Sequence, residues 1–455
     1  MKTPLRSLVV LALWLAAAGG SGAQVVTVTL STTFTPQPNY FGSAVAAVGT
    51  DKVIIGAFSL SSDRGAAYLF TIGGTLLTTF TNPVPTIDDE FGGSVAAVGS
   101  DKVVIGAKRD DQATFDSGVA YLFGTNGNLI LTFTNPTPSQ SGHFGGTIAT
   151  VGTDKVLIGS SKNVGASQSV GAAYLYSTNG TLLTTYTNPN PVNYGYFGSS
   201  LAALGPDRVL IHGNNNVSGV VYLYNIDGML LTTITNPAPS NGYGFGDSVA
   251  TLGSDRVLIG ATGNDIGALN AGAAFIYATN GTLLTTLTNP TPANSDLFGL
   301  AVAVVGTDKL LVGAYQDDTG ATDAGSAYLF STNGLLLKSI PNPAPTYRGN
   351  FGFALTTVGT DKLLIGGLFN QAAYLFNLTG PTAPRLSIER IAGGNVRFSW
   401  PLSATGFVLD QTTSFVSLPA TNTWSQVPFP YQTNATQISV SVTPAGNQFY
   451  RLRQP

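Results

Sequence analysis

The sequence predicts an all-β protein: a seven-bladed β-propeller closed by an N-terminal strand, plus a small C-terminal β-sandwich-like domain. Three observations carry that prediction. A Phe-Gly pair recurs at Phe41, Phe91, Phe144, Phe197, Phe245, Phe298 and Phe351, at intervals of 50, 53, 53, 48, 53 and 53 residues. A period near 50 with several strands per unit is the signature of propeller blades. Apolar residues nowhere follow the helical 3.6 period, and short apolar runs are bounded by turn residues instead. The 55 glycines and 25 prolines show no Gly-X-Y order, so they mark tight turns rather than collagen.

The third repeat shows the unit. Phe144 to Val151 is strand A, and Gly152-Thr153-Asp154-Lys155 is a turn. Val156 to Gly159 is a short buried strand B. After a polar loop comes strand C, Gly171 to Tyr176. Asn179-Gly180 is a strong hairpin signal, because both residues tolerate positive φ. Thr181 to Thr187 is strand D, ended by Asn188-Pro189. The D–A loop has seven residues between that proline and the next Phe-Gly in all six complete repeats. The B–C loop has 7, 10, 10, 5, 10 and 10 residues in repeats 1 to 6, and this accounts for the variation in repeat length. In a four-stranded meander these two loop types emerge on one face. That face is variable, the opposite one is uniform, and variable loops on a rigid scaffold are where binding usually sits. Repeat 7 lacks its strand D, while Val25 to Pro38 resembles one. The N-terminal segment is therefore expected to complete the last blade and protect its open edge. Residues 24–380 read as one propeller.

The ends differ in composition. Lys2 and Arg6 precede an apolar run of 11 residues, Leu8 to Ala18, and small residues at Ser21-Gly22-Ala23. Residues 1–23 read as a secretory signal peptide. That run is short of the roughly 20 residues a membrane helix needs, and no later segment qualifies. Loss of the leader's two basic residues takes the formal charge from −3 to −5, so nothing suggests a nucleic-acid partner. Cysteine is absent, which removes disulfides and thiolate chemistry. After Gly380 a short linker, Pro381-Thr382-Ala383-Pro384, leads into residues 384–455, read as a separate β domain.

The unit FGxSVAxxG…DKVLIGA…GAAYLF resembles the FG-GAP repeat, the blade of integrin α-chain propellers and of many secreted bacterial proteins. Repeat 6 fits best, with Phe298-Gly299, Leu311-Val312-Gly313-Ala314 and Gly325-Ser326-Ala327-Tyr328-Leu329-Phe330. The resemblance implies a secreted, extracellular or cell-surface propeller with an adhesion role. One departure matters. Integrin-type blades carry an acid-rich calcium loop between strands A and B, and calcium takes six to eight oxygen ligands. Here that segment is only Gly306-Thr307-Asp308-Lys309 or a close variant, so its aspartates read as turn residues and no cofactor is expected. In the C-terminal segment, Val396 to Trp400 followed by Gly406 to Asp410 looks like strands B and C of a fibronectin III-like sandwich, without a final G strand.

Candidate site residues lie on the variable loops. Asp110-Asp111 with Asp116, and Asp317-Asp318 with Asp323, share an Asp-Asp-x₄-Asp spacing in two B–C loops. They read as solvated rim charge, as a weak calcium site, or as a glycosidase pair if two carboxyls lie about 5–10 Å apart. Asp88-Asp89-Glu90 joins them from a D–A loop. Tyr194, Tyr196, Tyr243 and Tyr347 in D–A loops, with Phe115 and Tyr315 in B–C loops, offer rings to a sugar or protein partner, or pack over the propeller mouth. The two histidines, His143 and His212, have no partner motif and read as surface or packing residues. The expected function is a non-catalytic binding or adhesion scaffold for an extracellular glycan or protein. A glycan hydrolase using loop carboxylates and a purely structural surface protein are the alternatives.

Overall fold

The computed structural model describes residues 26–34, 40–59, 65–162, 169–215, 218–239, 244–369, 371–379, 386–392, 395–401, 408–412, 425–428, 430–434, 436–443 and 449–453. Residues 1–23 (the expected signal peptide), the 381–384 linker and Tyr243 lie outside the described residues. Two compact units are present, one of Thr27–Leu378 and one that includes Thr379–Pro455.

The larger unit holds seven four-stranded sheets. In the third blade the strands are Phe144–Val151, Lys155–Ser160, Ala172–Ser177 and Leu182–Thr187, paired antiparallel in sequence order. Strand A carries a register shift just after Phe-Gly in six of the seven blades, as between Phe144 and Thr147. The extra residue there needs a left-handed backbone, and Gly145 supplies it with φ of 83°. The seventh sheet takes the order Thr27–Phe34, Ala372–Thr379, Lys362–Gly367, Phe351–Val358, so the first strand of the chain sits at the edge left by repeat 7.

Strands A are innermost and line a central channel with small side chains, among them Ala44, Ser94, Thr147, Ser248 and Ala354. Strand D is the outer rim; of Leu182–Thr187 only Tyr186 is buried. Between blades lies a continuous apolar layer. Val98, Val104, Leu122 and Phe133 of blade 2 pack with Phe144, Val156, Ile158 and Tyr174 of blade 3. The same layer joins Leu364 and Leu375 of blade 7 to Phe41 and Ile55 of blade 1. The Phe-Gly phenylalanine is its anchor: Phe144 is fully buried and lies 5.9 Å from the Tyr174 ring.

Backbone meets backbone at the joints. A Cβ on Gly159 of strand B would sit 2.1 Å from the carbonyl oxygen of Gly198 in the next blade, and Gly313 faces Gly352 in the same way. Hydroxyls of Ser94, Thr147 and Ser248 donate to the matching carbonyls of Gly145, Gly198 and Gly299. The A–B turn aspartates do not fold back onto their own loop alone. Each pairs with the following base, as Asp154 Oδ1 does with Lys155 Nζ at 2.8 Å.

Among the described residues the C-terminal unit has two sheets. One holds Ser387–Arg390, Val396–Pro401, Gln437–Val442 and Gln432–Thr433; the other holds Ser425–Gln426, Val408–Thr412 and Phe449–Arg453. Phe398 and Trp400 from the first sheet share a core with Leu409 and Tyr450 from the second. The strands at 396–401 and 408–412 thus lie in opposite sheets of a sandwich.

Candidate functional site

The first acid of each pair is not rim charge. Asp110 is 1 % exposed and Asp317 2 %. Asp110 accepts hydrogen bonds from the Tyr121 hydroxyl at 2.9 Å, the Gln112 amide at 3.0 Å and the Asn82 side chain at 3.3 Å. Asp317 accepts from Tyr328 at 2.6 Å, Ser326 at 3.0 Å and the Thr319 amide at 2.9 Å. Asp111 and Asp318 are exposed, and each accepts the backbone N–H five residues on, at Asp116 and Asp323. The Asp-Asp-x₄-Asp spacing is therefore a loop framework. Its first acid locks the loop to strand C, and its second closes the turn. This corrects the solvated reading of Asp110 and Asp317. It also removes both from the surface a ligand would touch.

Each buried acid has an acidic neighbour from the preceding D–A loop. Asn82 Nδ2 donates to Asp89 at 2.6 Å as well as to Asp110. In blade 6, Asn289 Nδ2 donates to Asp296 at 2.7 Å. Burial pushes the Asp296 carboxyl up to about 6, and the charges of Asp317 and Asp318 push the same way. Asp89 is also raised, first by burial, although its bonds to Thr86 oppose this. Glu90 is buried and meets Lys108 Nζ at 2.7 Å and Arg109 Nε at 2.9 Å. Among the described residues no group of three or more His, Asp or Glu side chains is placed to hold a metal ion.

The aromatic residues divide. Tyr347 is 67 % exposed, Phe115 57 % and Tyr194 54 %. Arg348 stacks on the Tyr347 ring at 5.2 Å. Tyr315 is half-buried, edge-on to Phe353 at 5.6 Å, and so belongs to the mouth packing. Tyr194 and Tyr196 lie 6.2 Å apart, tilted by 40°. Both have left-handed backbones, with φ of 60° and 44°, which is uncommon for bulky residues. Exposed Ile87 lies on a D–A loop and exposed Leu269 on a B–C loop.

The fourth blade breaks the pattern in three places at once. His212 stands where the other strands B have glycine, its B–C loop is the shortest, and its strand A begins only at Leu201. A cavity of about 440 Å³ opens between blades 4 and 5. Its lining includes Tyr194, Tyr196, Ser199, His212, Asn214 and Asp247. Ser199 Oγ lies 2.7 Å from His212 Nδ1. The ring itself is buried, and Nε2 faces the Phe245 carbonyl short of a full hydrogen bond. That neighbour favours the proton on Nε2, which leaves Nδ1 to accept from Ser199. Burial pulls the His212 pKa down to about 4. Asp247 is raised by burial while its bond from Thr262 opposes this.

A serine beside a histidine invites a catalytic reading. An effective general base, however, has a pKa near the working pH. Burial weakens the His212 imidazole as a base, and its Nδ1 lies within hydrogen-bond reach of the Ser199 hydroxyl. The sequence reading missed Ser199, Asn214 and Asp247. The available signal was the coincidence of His212 with the five-residue loop in one repeat.

The fold thus defines an all-β propeller protein, with loops of unequal length on one face. Two of its segments, residues 84–123 and 282–330, match the FG-GAP repeat. No curated protein matches the chain. Among solved structures, the crystal structure of Kluyvelomyces marxianus Hsv2 is similar at 8 % identity and a TM-score of 0.44, covering 80 % of this chain and 93 % of that one.

Proposed function

We propose that this chain is a secreted binding and adhesion scaffold that recognises an extracellular glycan or protein through the loop face of its propeller, without covalent chemistry. The observation that carries the reading is where the exposed rings fall. Phe115, Tyr194 and Tyr347 project from B–C or D–A loops of three different blades, while the A–B turns opposite repeat one Asp–base pair. Rigid aromatic side chains supply contact area at small entropic cost. FG-GAP repeats at two segments agree with a binding role and with an extracellular setting. The hydrolase reading loses support, because Asp110 and Asp317 are already satisfied within the blade.

The test is a glycan array and an extracellular-matrix protein panel probed with residues 24–455. Substituting Tyr347→Ala, Phe115→Ala and Tyr194→Ala together is expected to weaken retention at least tenfold. Substituting Asp154 and Lys155 in the opposite turn is expected to leave it unchanged. The reverse pattern would sink the proposal.

A further inference from the structure

We infer that the cavity between blades 4 and 5 is a binding site for a single neutral sugar ring, with Ser199 as its central acceptor and His212 as the residue that positions it. This deepens the binding reading above and rests on it.

Volume and chemistry point the same way. About 440 Å³ is within the range of small-molecule sites and suits one sugar ring. Ser199, Asn214 and Tyr196 bring hydroxyl and amide groups to a site bordered by two tilted tyrosine rings. Convergent polar groups beside aromatic faces match a ring with hydroxyls at its edge and C–H groups on its faces. Among the described residues the lining contains no lysine or arginine and includes Asp247, so they offer no counter-charge to a phosphate or a uronic acid.

The histidine is what distinguishes this joint. At the neighbouring joints a strand-B glycine, Gly159 or Gly260, lies against the next blade's glycine carbonyl and leaves no room for a side chain. At this one the imidazole occupies the contact, so close that a Cβ on Gly246 would sit 2.3 Å from His212 Cδ2. The ring replaces backbone packing and opens the space. With Nδ1 accepting the hydrogen bond of the Ser199 hydroxyl, the Ser199 lone pairs are left to accept from a ligand hydroxyl. His212 therefore acts through Ser199 and not by touching the sugar.

The experiment uses residues 24–455 on an array of glycans ending in neutral glucose, galactose, mannose or N-acetylglucosamine, followed by calorimetry with the free monosaccharide. His212→Gly restores the residue of the other six blades. It is expected to keep or raise the melting midpoint while lowering affinity more than tenfold. Ser199→Ala, which leaves the cavity volume nearly unchanged, is expected to lower it by a similar factor. Asp154→Asn, in an A–B turn on the opposite face, is expected to keep monosaccharide binding. If glycans bind but neither cavity variant changes the affinity, this site is wrong and the loop-face reading stands. If only proteins bind, through Phe115 and Tyr347, the sugar site is again overturned. Labelling of wild type by a fluorophosphonate, lost in Ser199→Ala, would replace it with a catalytic one.

Discussion

Burial decides the role of single residues here, and charge alone does not. Asp110 and Asp111 are neighbours, yet one is locked under Tyr121 and the other closes a turn in solvent. Asp296 shows the cost of such placement. Its pKa lies at about 6 in the folded chain, above the value of an unfolded aspartate. The folded state therefore holds the extra proton between about pH 4 and 6, and stability falls as pH rises through that window. Asp296→Asn keeps acceptors for Asn289 and Ala293 without the charge. It is expected to melt higher than wild type at pH 7, with the difference vanishing below about pH 4, in scanning calorimetry across pH. A constant difference would contradict the assignment. His212 has the opposite sign, since its neutral form is favoured by folding and its stabilisation is lost between about pH 6.5 and 4. The sequence could not show these states. Asn82, Asp89, Asp110 and Tyr121 come from three separate segments and meet only when the blades pack.

At the scale of elements, the blade was legible because its signals are local. The Phe-Gly pair, the Gly-Thr-Asp-Lys turn and the Asn-Gly hairpin each act over a few residues, and the spacing repeats them in register. What stayed hidden was the joint, which depends on contacts about 40 residues apart. Strand B is the sharpest case. Its Val-Leu-Ile-Gly run reads as a buried strand, but nothing local says that the glycine faces another backbone. Gly313→Ala tests this: a Cβ there would lie 2.1 Å from the Gly352 oxygen. Backbone must shift, so a loss of at least about 2 kcal/mol is expected in urea denaturation. The same change at Gly73, which has no contact closer than 3.7 Å, is expected to cost much less. Equal losses would refute the joint argument. The cavity beside His212 follows the same logic, since a departure from the strand-B pattern alters a joint and not a strand.

For the whole molecule, the arrangement of the ends sets the cooperativity. Thr27–Phe34 lies beside Ala372–Thr379, and Phe34 shares a core with Phe41, Phe70 and Leu375. Blades 7 and 1 thus depend on the first strand as well as on each other. Removing residues 24–34 takes out buried Phe34 and bares the edge of Ala372–Thr379. The truncated chain is expected to unfold at least 5 °C lower and to self-associate in analytical ultracentrifugation, because an uncovered strand edge pairs with other chains. An unchanged midpoint and a monomeric truncated chain would show that the seventh blade does not need that strand. The C-terminal sandwich has a core of its own around Phe398 and Trp400.

The first strand and the last strand of the propeller are neighbours in one sheet, and this governs how the ring carries tension. A pull between the two ends of residues 27–379 bears on that single ladder of hydrogen bonds. The six blades in between form a closed loop and stay slack until the ladder parts. The molecule then behaves as a buckled strap, whose strength under load is that of its clasp.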